Sequence, residues 1–416
     1  MLNAADYLDT LARLPRPYRF APAIQATDED GEASAIEANI REFASANLHH
    51  LLPGIPMRAH PEIIDEVLLH RLMAELDGHS FFLLGNTRIE DPHAILAKAK
   101  SSPVIFCTFH LGAYRLINML LISRSFDYLL PVEDHIYTAQ KAIFLDHSRA
   151  YQDHFHSASQ FTVVNAEEPT AALNMARKAR TGWSLLAYID GNTGVQGAAR
   201  RDAKMLKISL LGRPIYARKG IAFLSHFLKL PIVPVVCEIT GPLERRLIFH
   251  DPIEPPESGS ERDAYCQAAT EQLYALLGSY LKKSPSQWLG WLEMQQYLDL
   301  DATAPLETTE TKQSASGSDG EVVVAHRLVF NHERFGFIVR DGERVLLDKL
   351  NYEFLSVPES VCAVLDACRE PVAVTKYMSD GHKQTIEQLL SLKLLSPVAD
   401  PDGLRSTQGV MGSRGS

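Results

Sequence analysis

The chain has 416 residues, 46% of them hydrophobic and 22% charged, and carries a formal net charge of −10. That is long enough for two or three domains, with a composition that supports a packed core. The acidic balance excludes nucleic acid as the main partner, because phosphate contacts need a basic face. No stretch reaches the ~18 uninterrupted apolar residues of a membrane span, so no transmembrane segment is expected. Five scattered cysteines without a C-x-x-C pair suit a reducing compartment. The N-terminus, MLNAADYLDT, lacks a signal-peptide core. Together these features place the protein in the cytoplasm, with peripheral membrane contact as the alternative.

Residues 1–100 read as a mostly helical region packing on the core. Within it, 61–78 carries Ile63, Ile64, Val67, Leu68, Leu72 and Met73 at helical spacing, with Gly78 as the stop. From 101 the pattern alternates. Apolar strand-like runs cover 102–110, 127–132, 160–166, 183–190 and 231–240. Helical patterns cover 111–124, 168–182 and 220–230, and 205–218 reads as a hairpin turning at Gly212-Arg213. A long amphipathic helix follows over 260–284. Ser260 and Asp263 form its capping box, and Tyr265, Ala269, Leu273, Leu276, Leu277 and Tyr280 its apolar stripe. Alternation of this kind predicts an α/β domain over 101–300, with a central, mostly parallel sheet covered by helices. Residues 301–320 are rich in Thr, Ser, Gly and acids and read as a flexible linker. Residues 321–400 resume strand-like and helical patterns as a small α+β domain, and 401–416 reads as a disordered tail.

Ligands on such sheets bind beyond the carboxyl ends of the strands. That rule selects His110 and Asp190, each standing where a buried strand stops. In CTFHLGAYR (107–115) the histidine runs directly into an expected helix start. The Leu111 and Gly112 N–H groups there would stabilise an oxyanion, and the imidazole would take a proton from an attacking hydroxyl or amine. The plain alternative is a core histidine at a strand end. Asp190-Gly191-Asn192 is likewise either a site element or simply a good turn. Arg200, Arg201, Lys204, Lys207, Arg213, Arg218 and Lys219 reverse the local charge. They read as a solvated loop or as a dock for an acidic partner, either an acyl carrier protein or the phosphates of coenzyme A. His135, His147, His154 and His156 lack a third ligand at metal spacing, so no metal is expected.

Five blocks, in order, resemble the lipid A biosynthesis acyltransferases of the lysophospholipid acyltransferase-like superfamily. CTFHLGAYR resembles that family's His-Phe-Gly-Asn-Trp-Glu block. YIDGNTGVQG (188–197), residues 207–236 and the helix within 264–291 resemble later blocks, and Pro285, Gln287, Trp288 and Trp291 match the closing one. The resemblance covers about 100–298. It implies a glycerolipid acyltransferase-like fold, with His110, Arg115 and Asp190 at the catalytic centre. The implied substrate pocket involves Leu111, Gly112, Tyr114, Gly191, Asn192 and Arg218. The family places Asp or Glu where this chain has Arg115. A guanidinium disfavours imidazolium instead of holding it. Three alternatives follow: His110 acts alone; Glu133, Asp134 or Asp190 supplies the carboxylate; or the site keeps only binding.

Residues 322–396 resemble the PqqD-like peptide-recognition domain. The shared order is strand, strand (FGFIVR), an Asp341-Gly342 turn, strand (VLLDKLN), then helices at SVCAVLDAC, VAVTKYM and KQTIEQLLSLKLL. The resemblance implies a winged-helix-like module that binds an extended peptide at a sheet edge. The alternatives are dimerisation or packing on the other half, and the module lacks the dense basic helix of a DNA reader. The expected activity is acyl transfer from an acyl carrier protein or coenzyme A thioester to a hydroxyl or amine of a peptide or small molecule. No tightly bound cofactor is expected. The rival is an inactive acyltransferase-like protein that binds a peptide or carrier protein for a partner enzyme.

Overall fold

The computed structural model describes residues 2–13, 29–190, 204–257, 261–300, 327–340, 342–373 and 383–398. Two compact units divide the chain, residues 1–20 with 43–304 and residues 21–42 with 305–416. The expected linker at 301–320, the tail at 401–416 and the capping residue Ser260 lie outside the described residues.

The first unit begins with helix α1 (Ala4–Arg13) and takes residues from Phe43 onward of α2 (Glu29–Leu51). Helices α3 (His60–Gly78) and α4 (Phe82–Gly85) precede strand β1 (Thr87–Glu90) and the short helix α5 (Ile95–Lys98). Then come β2 (Ile105–Thr108), α6 (Leu116–Ser123), β3 (Tyr128–Val132), α7 (Asp134–Phe155), β4 (Phe161–Asn165), α8 (Ala171–Arg180) and β5 (Ser184–Tyr188). The hairpin β6 (Met205–Leu210) and β7 (Arg213–Arg218) leads into α9 (Gly220–Leu228), β8 (Ile232–Ile239), β9 (Arg245–Phe249) and α10 (Arg262–Leu281).

Seven strands form the central sheet in the order β1-β9-β8-β2-β5-β3-β4. Every pairing is parallel except β8 with β9. Strand β1 belongs to this sheet although its stretch falls in the region expected to be helical. Four residues with one apolar side chain, Ile89, carry too little periodicity to announce an edge strand. The inner strands are buried on both faces, which is why they read as unbroken apolar runs. Phe106, Tyr128, Leu130, Leu186, Val233 and Val235 pack with α6 and with Tyr7 and Tyr151. Their neighbours Ile105, Leu129, Leu185 and Ala187 face Ala171, Met175 and Ala179 of α8 and Leu224 of α9. Helix α10 buries Cys266, Ala269, Leu273, Tyr274, Leu277 and Tyr280.

One ionic cluster lies fully inside this unit. Arg245 and Asp77 have no exposed side-chain surface, and their guanidinium and carboxylate meet at 3.0 Å. Tyr7 donates to Asp77 Oδ1 at 2.7 Å and accepts from Arg245 Nη2 at 2.8 Å. Arg245 Nη1 donates to the carbonyls of Gly241 and Glu244. The cluster thus joins α1, α3 and β9, with each charge answered by hydrogen bonds, as burial demands.

The second unit takes residues of α2 up to Glu42 and comprises β10 (Arg327–Phe330), β11 (Phe335–Arg340), β12 (Glu343–Asp348), β13 (Glu353–Leu355), α11 (Glu359–Ala367), β14 (Val372–Ala373), α12 (Lys383–Ser391) and β15 (Leu395–Val398). Two antiparallel sheets, β14-β10-β15 and β11-β12-β13, share a core of Leu328, Phe330, Phe335, Phe337, Leu346, Leu365, Cys368, Ile386 and Leu389. The helix expected at VAVTKYM does not begin there. Val372 and Ala373 form β14 and pair with β10, consistent with the β-branched valines of this stretch, and residues 374–378 lie outside the described residues. Asn39 exchanges two hydrogen bonds with the Val339 main chain, at 2.7 and 2.8 Å. A side-chain amide therefore satisfies main-chain groups of β11, an outer strand of its sheet.

Asp77→Ala, which strands Arg245 in the interior, should cost the first unit ~3–5 kcal/mol, measured as a fall in its urea midpoint. Burial also holds the imidazoles of His70, His147 and His250 below the ordinary histidine value. The unfolded chain therefore takes up these protons first. Their contribution is present above the ordinary value and lost as pH falls through it. Unfolding midpoints of the first unit should drop between about pH 7.5 and 5, and replacing all three residues by Gln should flatten that limb.

Candidate active site

Strands β2 and β5 run side by side in parallel with Thr108 opposite Tyr188. Two residues beyond each register partner stand His110 and Asp190. His110 Nδ1 lies 3.0 Å from Asp190 Oδ1. The aspartate is 3% exposed and the imidazole 31%. Asp190 also receives the His110 main-chain N–H at 2.9 and 3.0 Å and the Trp288 indole N–H at 2.7 Å. An acceptor-only carboxylate at Nδ1 selects the tautomer with Nδ1 protonated and Nε2 basic. The ring is braced by Tyr114 and Tyr188, each with its centroid 4.9 Å away. Tyr188 is tied in turn to Asn118, which also takes a hydrogen bond from Tyr128.

Of the three carboxylates that sequence left open, Asp190 is the one on His110. Asp134 accepts from Asn165 at 2.7 Å. Glu133 faces His135 and Arg218, both at 3.6 Å. Arg115 is not an ionic partner of the imidazole. Its side chain runs beside Gly78 and toward the Tyr114 ring. Burial works against its charge, but Tyr114, Tyr188 and Glu75 outweigh burial and hold the guanidinium above its ordinary value. It occupies the N-cap position of α6, whose first residue is Leu116, without a side-chain capping hydrogen bond.

That helix start corrects an expectation. The helix anticipated from 111 begins five residues later, because 111–113 are held from outside. Leu111 bridges Trp288 and Gly112 bridges Cys237. The Gly112 N–H donates to the Gln287 carbonyl at 2.8 Å and the Ala113 N–H to the Cys237 carbonyl at 3.0 Å. The Gly112 amide expected as an oxyanion donor is therefore occupied. Among the described residues the Leu111 N–H has no acceptor. The Leu111 side chain is buried in the core.

The closing block supplies the other wall. Gln287 pairs through both side-chain atoms with the main chain of Ile239, at 2.9 Å each. Trp288 and Trp291 meet edge to face, and the Trp291 indole donates to the Pro285 carbonyl. His70 on α3 reaches the Ser286 carbonyl at 2.8 Å. Sequence reasoning did not single out Glu293. Burial raises its carboxyl above the ordinary value, and the charges of His110 and Arg71 pull it back, so a second, half-buried acid stands within reach of the imidazole's field. Nothing in the local pattern marked it, since it follows a short 3-10 turn, Leu289–Leu292.

The basic run is partly spent within the fold. Lys207 pairs with Asp299 at 2.6 Å, Arg218 faces Glu133, and Arg213 donates to the His50 carbonyl. Arg200, Arg201, Gly191 and Asn192 lie outside the described residues. His147 packs against His79, and among the described residues no group of three His, Cys, Asp or Glu is placed to hold a metal. No described helix is long and apolar enough to cross a membrane.

Gly112 has φ of +60°, and a Cβ there would sit 2.1 Å from the Cys237 carbonyl oxygen. Gly112→Ala combines strain with a main-chain clash. It should lower the first unit's stability by ~2 kcal/mol or more, seen as a fall in its thermal midpoint. Compared with models of known families and with curated proteins, the chain matches none.

Proposed function

We propose that the protein is an acyltransferase that moves an acyl group from an acyl carrier protein or coenzyme A thioester to a hydroxyl or amine of a peptide or small-molecule acceptor. One observation carries the reading: a part-exposed imidazole whose Nδ1 is held by a buried aspartate at the carboxyl ends of two adjacent parallel strands. In this proposal His110 Nε2 takes the proton of the attacking O–H or N–H. The acceptor adds to the thioester carbon, and the tetrahedral oxyanion takes a hydrogen bond from the Leu111 N–H. Collapse breaks the C–S bond, and the leaving thiolate recovers the proton from Nε2. Asp190 fixes the tautomer and offsets the transient imidazolium charge, as the third member of a triad does.

The mostly parallel central sheet and the strand-end placement of the dyad also support a glycerolipid acyltransferase-like fold for the first unit. The rival reading of an inactive binding protein drew on Arg115 standing where a carboxylate belongs. Asp190 answers that need from a different strand, which favours catalysis. The second unit supports the PqqD-like reading in one respect. Strand β13 ends its sheet, and Glu353, Phe354 and Leu355 are all exposed, a surface suited to strand addition by a peptide. Five buried thiols suit the cytoplasm.

The test is incubation with acyl carrier protein and coenzyme A thioesters and hydroxyl- or amine-bearing acceptors, read by mass. His110→Ala and Asp190→Asn should each lower turnover ~10²–10⁴-fold. Full turnover in His110→Ala removes the base and with it the proposal.

A further inference from the structure

In helix α6 the residues Leu116, Ile117, Met119, Leu120, Leu121 and Ile122 are all buried and apolar, and Asn118 stands alone among them. A carboxamide placed there costs stability unless its polar atoms find partners. Both do. Its Oδ1 accepts from the Tyr128 hydroxyl at 3.1 Å, and its Nδ2 donates to the Tyr188 hydroxyl oxygen at 2.8 Å. Tyr128 opens β3 and Tyr188 closes β5, so the amide links two neighbouring strands of the sheet.

Tyr188 carries this link to the candidate site. Its ring lies 4.9 Å from that of His110, tilted by 31°. Tyr114 stands on another side, 4.9 Å from the imidazole and 5.8 Å from Tyr188, edge-on to both. Asp190 holds the imidazole ring at one atom, Nδ1. The χ2 torsion of histidine is broad, and a hydrogen bond tolerates ~30° of misalignment. That one bond therefore leaves the ring room to swing, and Nε2 with it. A neighbour across the face of the ring removes this freedom only if the neighbour is itself held. Tyr188 is held at both ends, by its main-chain pairing with Thr108 and by Asn118 at the hydroxyl.

We infer that Asn118 is a positioning residue for His110: by pinning the Tyr188 hydroxyl it keeps that ring against the imidazole and fixes the direction of Nε2. The effect on rate rests on the acyl-transfer reading, whereas the effect on the ring rests on these contacts alone. Under that reading Nε2 must meet the proton of the attacking O–H or N–H, and a small misplacement of a reacting group lowers rate even when it arises away from the chemistry.

Asn118→Leu removes the amide at similar volume, and Tyr188→Phe removes the hydroxyl but keeps the ring. Turnover is followed with octanoyl-coenzyme A and whichever of hexan-1-ol and hexylamine the wild type acylates faster. Each variant should lower kcat ~10-fold or more, with KM held within about twofold. The double variant should be no slower than the slower single one, because both changes cut the same link. Effects that multiply in the double variant overturn the inference, as does an unchanged kcat in Tyr188→Phe. A second measurement does not depend on turnover: nuclear Overhauser contacts between the His110 ring and the ring at position 188, in protein with labelled aromatic residues. These contacts should weaken in both variants. Contacts of wild-type strength in Tyr188→Phe overturn the inference, and that variant decides the matter if Asn118→Leu does not fold. Weakened contacts in the variants, with no transfer by the wild type, would sink the transferase reading and leave the ring-holding role standing.

Discussion

Everything at the candidate site depends on the parallel register of β2 and β5. With Thr108 opposite Tyr188, the residues two steps on must face each other where the main-chain ladder ends. One of them carries an imidazole and the other a carboxylate. The aspartate then completes what the ladder leaves open, because it accepts the His110 main-chain N–H as well as the ring N–H. A hydrogen bond to an ionised group contributes ~1.5–3 kcal/mol, so the geometry of the pair is held by more than packing.

The second wall is built from a remote part of the chain. Gln287 reads the main chain of Ile239, Trp288 reaches Asp190, and the Gln287 carbonyl takes the Gly112 N–H. Two side chains and one main-chain carbonyl of one short turn segment thus fix the loop that follows β2. This explains why Leu111–Arg115 does not join α6 despite a composition that suits a helix: the Gly112 and Ala113 amides already serve partners more than a hundred residues away.

Much of the sheet was legible because β2, β5 and β8 are buried on both faces and so are apolar throughout. Strands β1 and β9 were not, since a short edge strand such as Thr87–Glu90 has no run to show. The two strand-end residues His110 and Asp190 followed from a general rule about parallel sheets. Choosing Asp190 over Glu133 or Asp134 needed the pairing of segments 80 residues apart, which no local pattern contains. Arg115 was legible as a departure from a resembling block, but its environment of Tyr114, Gly78 and Glu75 was not. Glu293 left no trace in sequence, because the charges that act on it, His110 and Arg71, come from distant parts of the chain.

The double duty of Asp190 separates two kinds of selection. The imidazole serves the proposed reaction alone, whereas the aspartate also secures a main-chain amide and an indole. A lineage that abandoned the chemistry would be free to lose His110 while the architecture still required Asp190 and Trp288. Under the proposed function, asymmetric drift between the two positions would therefore date a loss of catalysis, and joint constancy would mark descendants that keep it.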